Sequence, residues 1–254
     1  GQSSYAYVFS TERYFAPRAL QRLVDADVRP RVMTDPFTVR VENRSQSFGR
    51  GSIVVRVQQR GVAADSVHAV VRRIAERDYV DVYAVDGGLT PQGPDFGSRN
   101  SEILEDPSVA LLTGTGGEQR YGGASPYTAG EVWHLLSERM NMPISLLNLG
   151  DVEAADLSRY NTMVLAGGSY SSLPTDAVME WVQNGGTLIA LEDAVEWPVE
   201  HELVDLAERE LDVDSLVQDR SYAELPEAYG AQYIGGSIFE VELDPTHPVA
   251  YGHD

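Results

Sequence analysis

The chain contains no cysteine. That excludes disulfides, thiolate metal sites and a cysteine nucleophile, and says nothing about compartment. Lysine is absent too: all 19 basic residues are arginine, a usage that fits a compositional or environmental bias. No apolar run approaches the ~20 residues a membrane helix needs, so membrane insertion is not expected. The first residues (GQSSYAYVF) lack the basic start and long apolar stretch of a signal peptide. Positive charge is scarce. Against the arginines stand 39 acidic residues, for a net charge of −20. Such a charge opposes binding to nucleic acid or anionic membranes. The acids are spread along the chain, which suits a solvating surface in high salt, as in a halophile, better than recruitment of one basic partner.

What is present is a globular composition, 43% hydrophobic and 9% aromatic over 254 residues, enough for two modest domains. Tyr5 to Phe9 reads as a strand. Pro17 suits the first turn of a short helix with Leu20, Leu23 and Val24 on its apolar face. Arg31 to Val41 reads as extended chain broken at Asp35-Pro36, and residues 42–51 as a polar turn. Ser52 to Val57 is a second clear strand. Val67, Val70, Val71 and Ile74 recur at helical spacing, and Val80 to Val85 closes the set. The order β-α-β-β-α-β predicts a ferredoxin-like α+β unit over residues 1–86. Residues 87–107, rich in Gly and Pro, read as a linker.

Residues 108–254 read as a second, α/β domain. Ser108 to Gly114 is a buried strand, followed by a glycine-rich loop. Thr128 to Glu131 has the form of a capping box, ahead of a helix with Val132, Leu135, Leu136 and Met140 on its apolar side. Ile144 to Leu149 is the next strand. Thr162 to Asp193 then forms strand, Gly-Gly turn, helix, Gly-Gly turn and strand. Pro174 starts that helix, its buried face is Ala177, Val178, Trp181 and Val182, and Gly185-Gly186 caps its end. An acidic helix should follow (Val199, Leu203, Leu206 and Leu211 inward), then a last strand from Ser237 to Leu243. Alternating strands and helices imply a doubly wound, mostly parallel sheet with right-handed crossovers. Such domains usually add a further strand or helix, so this one is expected to be incomplete at its C-terminal end.

The strand–Gly-Gly (VLAGGSY), helix–Gly-Gly (WVQNGG) and strand (TLIALED) series resembles the class I glutamine amidotransferase-like fold, which is flavodoxin-like. A wider set (APRALQRL, DPFT, FGRGSIVV, VALLTGTG, TAGEVWHLL, LSRYNTMVLAGGSY, GGTLIALED and DPTHPVAYG) spans Ala16 to Gly252 and resembles the C-terminal region of bacterial zinc carboxypeptidase-like proteins, of the metallocarboxypeptidase family. The resemblance implies a hydrolase parent with an upstream zinc peptidase domain, and a secreted or cell-envelope location. It makes this chain an accessory region that packs against or gates the peptidase domain, or forms homo-oligomers. No cofactor is expected in the segment itself; zinc belongs to the upstream domain.

The chemistry of both families is missing. A zinc carboxypeptidase uses His-x-x-Glu and a distant His, and none of His68, His134, His201, His247 and His253 begins that motif. His134 and Glu138 are spaced for one helix face, without an indicated third ligand. The amidotransferase cysteine would fall near Glu192, and a carboxylate cannot perform thiol acyl transfer. Ser169, in Gly-Gly-Ser-Tyr-Ser, just misses a nucleophile motif and has no histidine placed to activate it. Gly114, Thr115, Gly116 and Gly117 suggest a phosphate cradle, but Gln119 stands where its third glycine belongs, which favours a plain loop. His247-Pro248 reads as a strand terminator, and Asp193 as a helix cap. No catalytic or metal residue is therefore assigned. The alternative to an accessory role is a small-ligand pocket at the strand ends, formed by Glu192, Ser169, Tyr170, Gly167, Gly168, Gly114 and Tyr127, for a peptide amine or a sugar. A serine hydrolase using Ser169 is the third reading.

Overall fold

The computed structural model describes residues 1–42, 44–114, 122–206, 220–230 and 238–253. The chain is mixed α/β: among the described residues a five-stranded antiparallel sheet, a four-stranded parallel sheet and two two-stranded antiparallel pairs. The first unit contains β1 (Ala6–Phe9), α1 (Ala16–Val24), β2 (Arg31–Met33), β3 (Phe37–Val41), β4 (Arg44–Phe48), β5 (Ile53–Arg56), α2 (Ala64–Arg77), β6 (Tyr83–Val85) and β7 (Ser101–Ile103). The main sheet has the order β6-β1-β5-β2-β7, antiparallel throughout. Strand alternation gives it two apolar faces. Tyr7, Phe9, Ile53, Val55 and Val57 pack with Leu23 of α1 and with Val67, Val70, Val71 and Ile74 of α2. Ala6, Val8, Met33, Val54 and Val85 form the other face, under Phe37, Phe48 and Phe96.

The extended chain from Arg31 to Val41 breaks at Asp35-Pro36 as expected: β2 stops at Met33, and beyond Pro36 the chain forms a separate hairpin of β3 with β4. Two expectations for this unit need correction. Arg44–Phe48 is a strand inside the segment read as a polar turn; four of its five residues are not buried, so it shows no apolar alternation. The 87–107 segment is also more than a connection. Its Phe96 is fully buried, and its β7 adds an edge strand to β2. A three-residue edge with two exposed side chains carries no periodic signal.

The second unit contains β8 (Val109–Thr113), β9 (Gly123–Ala124), α3 (Pro126–Trp133), β10 (Ile144–Asn148), β11 (Thr162–Leu165), β12 (Gly168–Ser169), α4 (Thr175–Gln183), β13 (Thr187–Ala190) and α5 (Glu196–Glu200). Its sheet is parallel, in the order β10-β8-β11-β13. Apolar clusters lie on both faces. Ala129 and Val132 of α3 cover Val109, Leu111 and Val164. Val178 and Trp181 of α4, with Trp197 of α5, cover Leu112, Met163 and Leu165. Such burial on both sides explains the near-continuous apolar runs of β8 and β11.

Local chemistry shifts several boundaries. α3 starts at Pro126, with Ser125 as N-cap accepting from Thr128 N, so the cap lies three residues before the expected box. Proline at the first helical position explains it. Beyond Trp133 the helix widens into a π turn, His134–Arg139, with Met140 N bonded to Leu135 O at 3.0 Å. The extra residue per turn rotates Leu135 outward, leaving it exposed while Leu136 packs inward. α5 is short, and Leu206 is exposed; Leu211 lies outside the described residues. The last expected strand is absent from its described part, since 238–243 forms no strand and is exposed. Its first residue, Ser237, lies outside the described residues. His247 does not end a strand: it caps the short turn Pro248–Ala250. Just beyond that turn, Tyr251 bonds Thr34 O of the first unit. Among the described residues no helix is long and apolar enough to cross a membrane.

Candidate site at the strand ends

In the parallel sheet, β8 and β11 are neighbours while their chain-order successors diverge: β10 lies outside β8 and β13 outside β11. The carboxyl ends at such a switch of direction leave a crevice where open α/β sheets bind ligands. Here the crevice is bounded by Gly114, by Gly167 and Gly168, by the first turn of α3, and by the turn after β13.

Glu192 lies in that last turn. β13 ends at Ala190, and Glu192 opens a 3-10 turn with φ of 54°. A non-glycine residue in the left-handed region at a strand-to-helix turn is a strained backbone, of the kind that clusters at functional sites. Its carboxylate Oε2 accepts from Thr128 Oγ1 at 3.1 Å. A Cβ on Gly167 would overlap that same oxygen, so glycine there is what lets the carboxylate lie across the end of β11. Ser125 N donates to Gly167 O at 2.6 Å, tying the start of α3 to the same point. The carboxylate thus lies by the first turn of a helix, where negative charge is favoured.

Asp193 does not act as the expected helix cap. Its Oδ1 accepts from Gly168 N at 2.6 Å, because the 3-10 turn carries it back over the β11 loop. Glu192 and Asp193 therefore serve different partners and share no proton. Tyr170 is buried, and its hydroxyl donates to Ala166 O at 2.7 Å. Burial, and after it the charge of Asp193, pushes the phenol above its ordinary value.

That shift sets a pH dependence. The folded state holds the tyrosine proton more tightly than the unfolded chain does, so the contribution is intact below the unfolded value of about 10. It is lost as pH rises from there through the raised folded value. Tyr170→Phe should lower the unfolding free energy at neutral pH, read from urea titration, by about 1–3 kcal/mol for the orphaned Ala166 carbonyl. It should also flatten the decline above pH ~10. An equally steep alkaline decline in the variant would assign it to other groups.

The remaining expected pocket residues divide. Ser169 is exposed and pairs through β12 with Gly123 of β9, near the crevice but facing outward. Tyr127 is 84% exposed, so its ring does not close the crevice. Gly114 (φ 74°) receives Ala124 N at its carbonyl; residues 115–121, the rest of the glycine-rich loop weighed as a phosphate cradle, lie outside the described residues. Thr128 and Ser125 were missed as site residues. The Ser-Pro pair that caps α3 was the signal for them. A cavity of about 530 Å³ lined by Asp156, Tyr160, Asn161, Glu180 and Trp181 lies at the opposite, amino end of β11, away from the crevice. His134 and Glu138 fall in the π turn, and no cluster of three or more metal-ligating side chains occurs among the described residues.

What the crevice offers chemically is an exposed carboxylate on a strained turn, held by a hydroxyl and a helix start. It supplies no thiol and no histidine bonded to Ser169 among the described residues. Compared with family models, with curated proteins and with solved structures, the chain matches none.

Proposed function

We propose that this chain is a non-catalytic accessory region of a zinc carboxypeptidase-like hydrolase. In this reading a ferredoxin-like unit precedes an amidotransferase-like, flavodoxin-like domain that has lost its nucleophile, and the two support or gate an upstream peptidase domain or mediate oligomerisation. The observation that carries it is Glu192. It lies in a strained strand-to-helix turn after the edge strand β13, with its carboxylate reaching back over the end of β11; in this reading it stands where such a fold presents its nucleophile. A carboxylate already bonded to Thr128 fills that place. The strand orders support the fold names. Setting aside the inserted hairpin and edge β7, the first sheet runs fourth-first-third-second, and the parallel sheet runs second-first-third-fourth.

Two results separate the parts of the proposal. The parent reading frame should encode a His-x-x-Glu pair and a later His ahead of residue 1; a frame without them removes the peptidase assignment. The chain itself should hydrolyse no peptide substrate with or without added zinc, and zinc-dependent turnover removes the non-catalytic assignment. The strain at Glu192 also favours a second reading, an amine-binding crevice. In that case a cationic peptide amine would raise the Tm, and Glu192→Ala would abolish the rise.

A further inference from the structure

The helix-free face of the antiparallel sheet carries two arginines that the accessory reading does not use. Arg56, at the end of β5, lies across from Ala6, which in turn lies across from Val85. Arg31, at the start of β2, lies between Val54 and Ile103. Every residue flanking the two in the sheet is therefore neutral. The covering segment folds both guanidiniums inward. Arg56 Nη2 donates to Phe96 O at 2.7 Å, and Arg31 donates through Nε to Ser101 Oγ at 2.9 Å and through Nη2 to Ser101 O. Ser101 N bonds back to Ser98 O, so residues 96–101 gather both arginines against one short stretch of chain.

Among the described residues neither arginine forms a salt bridge; the arginines that do are Arg13, Arg18, Arg22 and Arg50. What distinguishes Arg31 and Arg56 is that both are drawn under the same covering segment and bond it only through neutral groups. The covering segment's Asp95 accepts at Oδ1 from Thr90 N at 2.7 Å, and Glu102 lies across from Val32 on the other face of the sheet. Burial, and after it the charge of Arg56, holds the Arg31 guanidinium below the ordinary arginine value. Two buried polar atoms of the sheet and its covering segment also lack partners: Arg56 Nε and Ser98 Oγ. Two adjacent cations with an unpaired donor are costly unless an anion joins them.

We propose that Arg31, Arg56 and Ser98 form a binding site for a small inorganic anion of the halide class. Size follows from the donors. The buried donors without a partner here are one N–H, Arg56 Nε, and one O–H, Ser98 Oγ, rather than a buried guanidinium fork. Single donors from different residues suit a spherical anion; a phosphate or carboxylate calls for the bidentate fork. Sequence and charge agree: an acidic chain suited to high salt would take its counter-charge here from the medium.

Thermal unfolding tests the site, with sodium chloride replacing sodium gluconate at constant ionic strength. Chloride should raise the Tm saturably, by about 3–5 °C at tenfold excess over Kd, and Arg56→Gln should flatten the response. Chloride-35 NMR gives a second readout, in which wild-type protein broadens the chloride line and both Arg56→Gln and Ser98→Ala reduce that broadening. Ser98→Ala keeps both arginines and so covers the case where Arg56→Gln fails to fold. Coincident Tm curves in the two salts, or a chloride response unchanged in Ser98→Ala, would overturn the proposal.

Discussion

Asp78→Ala should lower the stability of the first unit by about 3–5 kcal/mol, the cost of orphaning charges that were paired out of water. Asp78 ends α2 and is fully buried. Its Oδ1 accepts from Arg18 Nε and its Oδ2 from Arg22 Nε, both at 2.6 Å. Those arginines are one turn apart on α1, with side-chain exposures of 19% and 26%. One carboxylate thus clamps the two helices that cover the sheet, and Arg18 adds a bond to Arg77 O at the end of α2. Removing the carboxylate leaves two guanidiniums facing each other across an apolar gap. Removing all three charges should cost far less, because desolvation of the ions offsets much of their attraction. The check is urea unfolding of Asp78→Ala beside the triple variant Arg18→Met, Arg22→Met, Asp78→Leu. A triple variant as unstable as the single one would show that the charges stabilise in their own right.

Legibility in the sequence followed burial. α2 was readable because Val67, Val70, Val71 and Ile74 all face one core, and burial imposes a period of 3.6. β8 and β11 were readable because both faces of their sheet are covered. β4 and β7 were not, since edges and hairpins need backbone pairing more than apolar side chains. The π turn left no signal either: its pattern of Leu135, Leu136 and Met140 is that of an ordinary helix, and only the ladder of backbone bonds distinguishes it. At the crevice, Glu192 and the glycine pair could be read from spacing. The positive φ of Glu192 could not, because glutamate does not advertise that region as glycine or asparagine does. Nor could the anchoring of Gly168 by Asp193, which depends on where the 3-10 turn carries the side chain. The placing of Arg31 beside Arg56 was invisible for a related reason. Their neighbourhood is made by sheet register, with Arg56 across from Ala6 and Arg31 across from Val54, and register is not written in either strand alone.

Gly168→Ala should cost about 2–6 kcal/mol, through two additive causes of about 1–3 kcal/mol each. Gly168 has φ of 138°, where an L side chain is strained. A Cβ there would also overlap the carbonyl oxygen of Gly123 and crowd Ser125 N, and both are backbone atoms that cannot swing aside. Gly185 separates the causes. It has φ of 101° but open space around its would-be Cβ, so Gly185→Ala should cost only the backbone part, about 1–2 kcal/mol. The excess in Gly168→Ala belongs to the strand ends, because it must push β9 from β12 and release Ser125 N from Gly167 O. Hydrogen exchange should then show lost protection at the amides of Ser125 and Gly168, with the amides of β8 unchanged. Equal urea midpoints for the two variants would mean that the close backbone approach beside Glu192 is not maintained in solution. Gly167→Ala completes the series: its Cβ displaces the flexible Glu192 carboxylate rather than backbone, so it should cost little stability while breaking the bond to Thr128. Any function that depends on the placed carboxylate would be lost in Gly167→Ala with the fold intact.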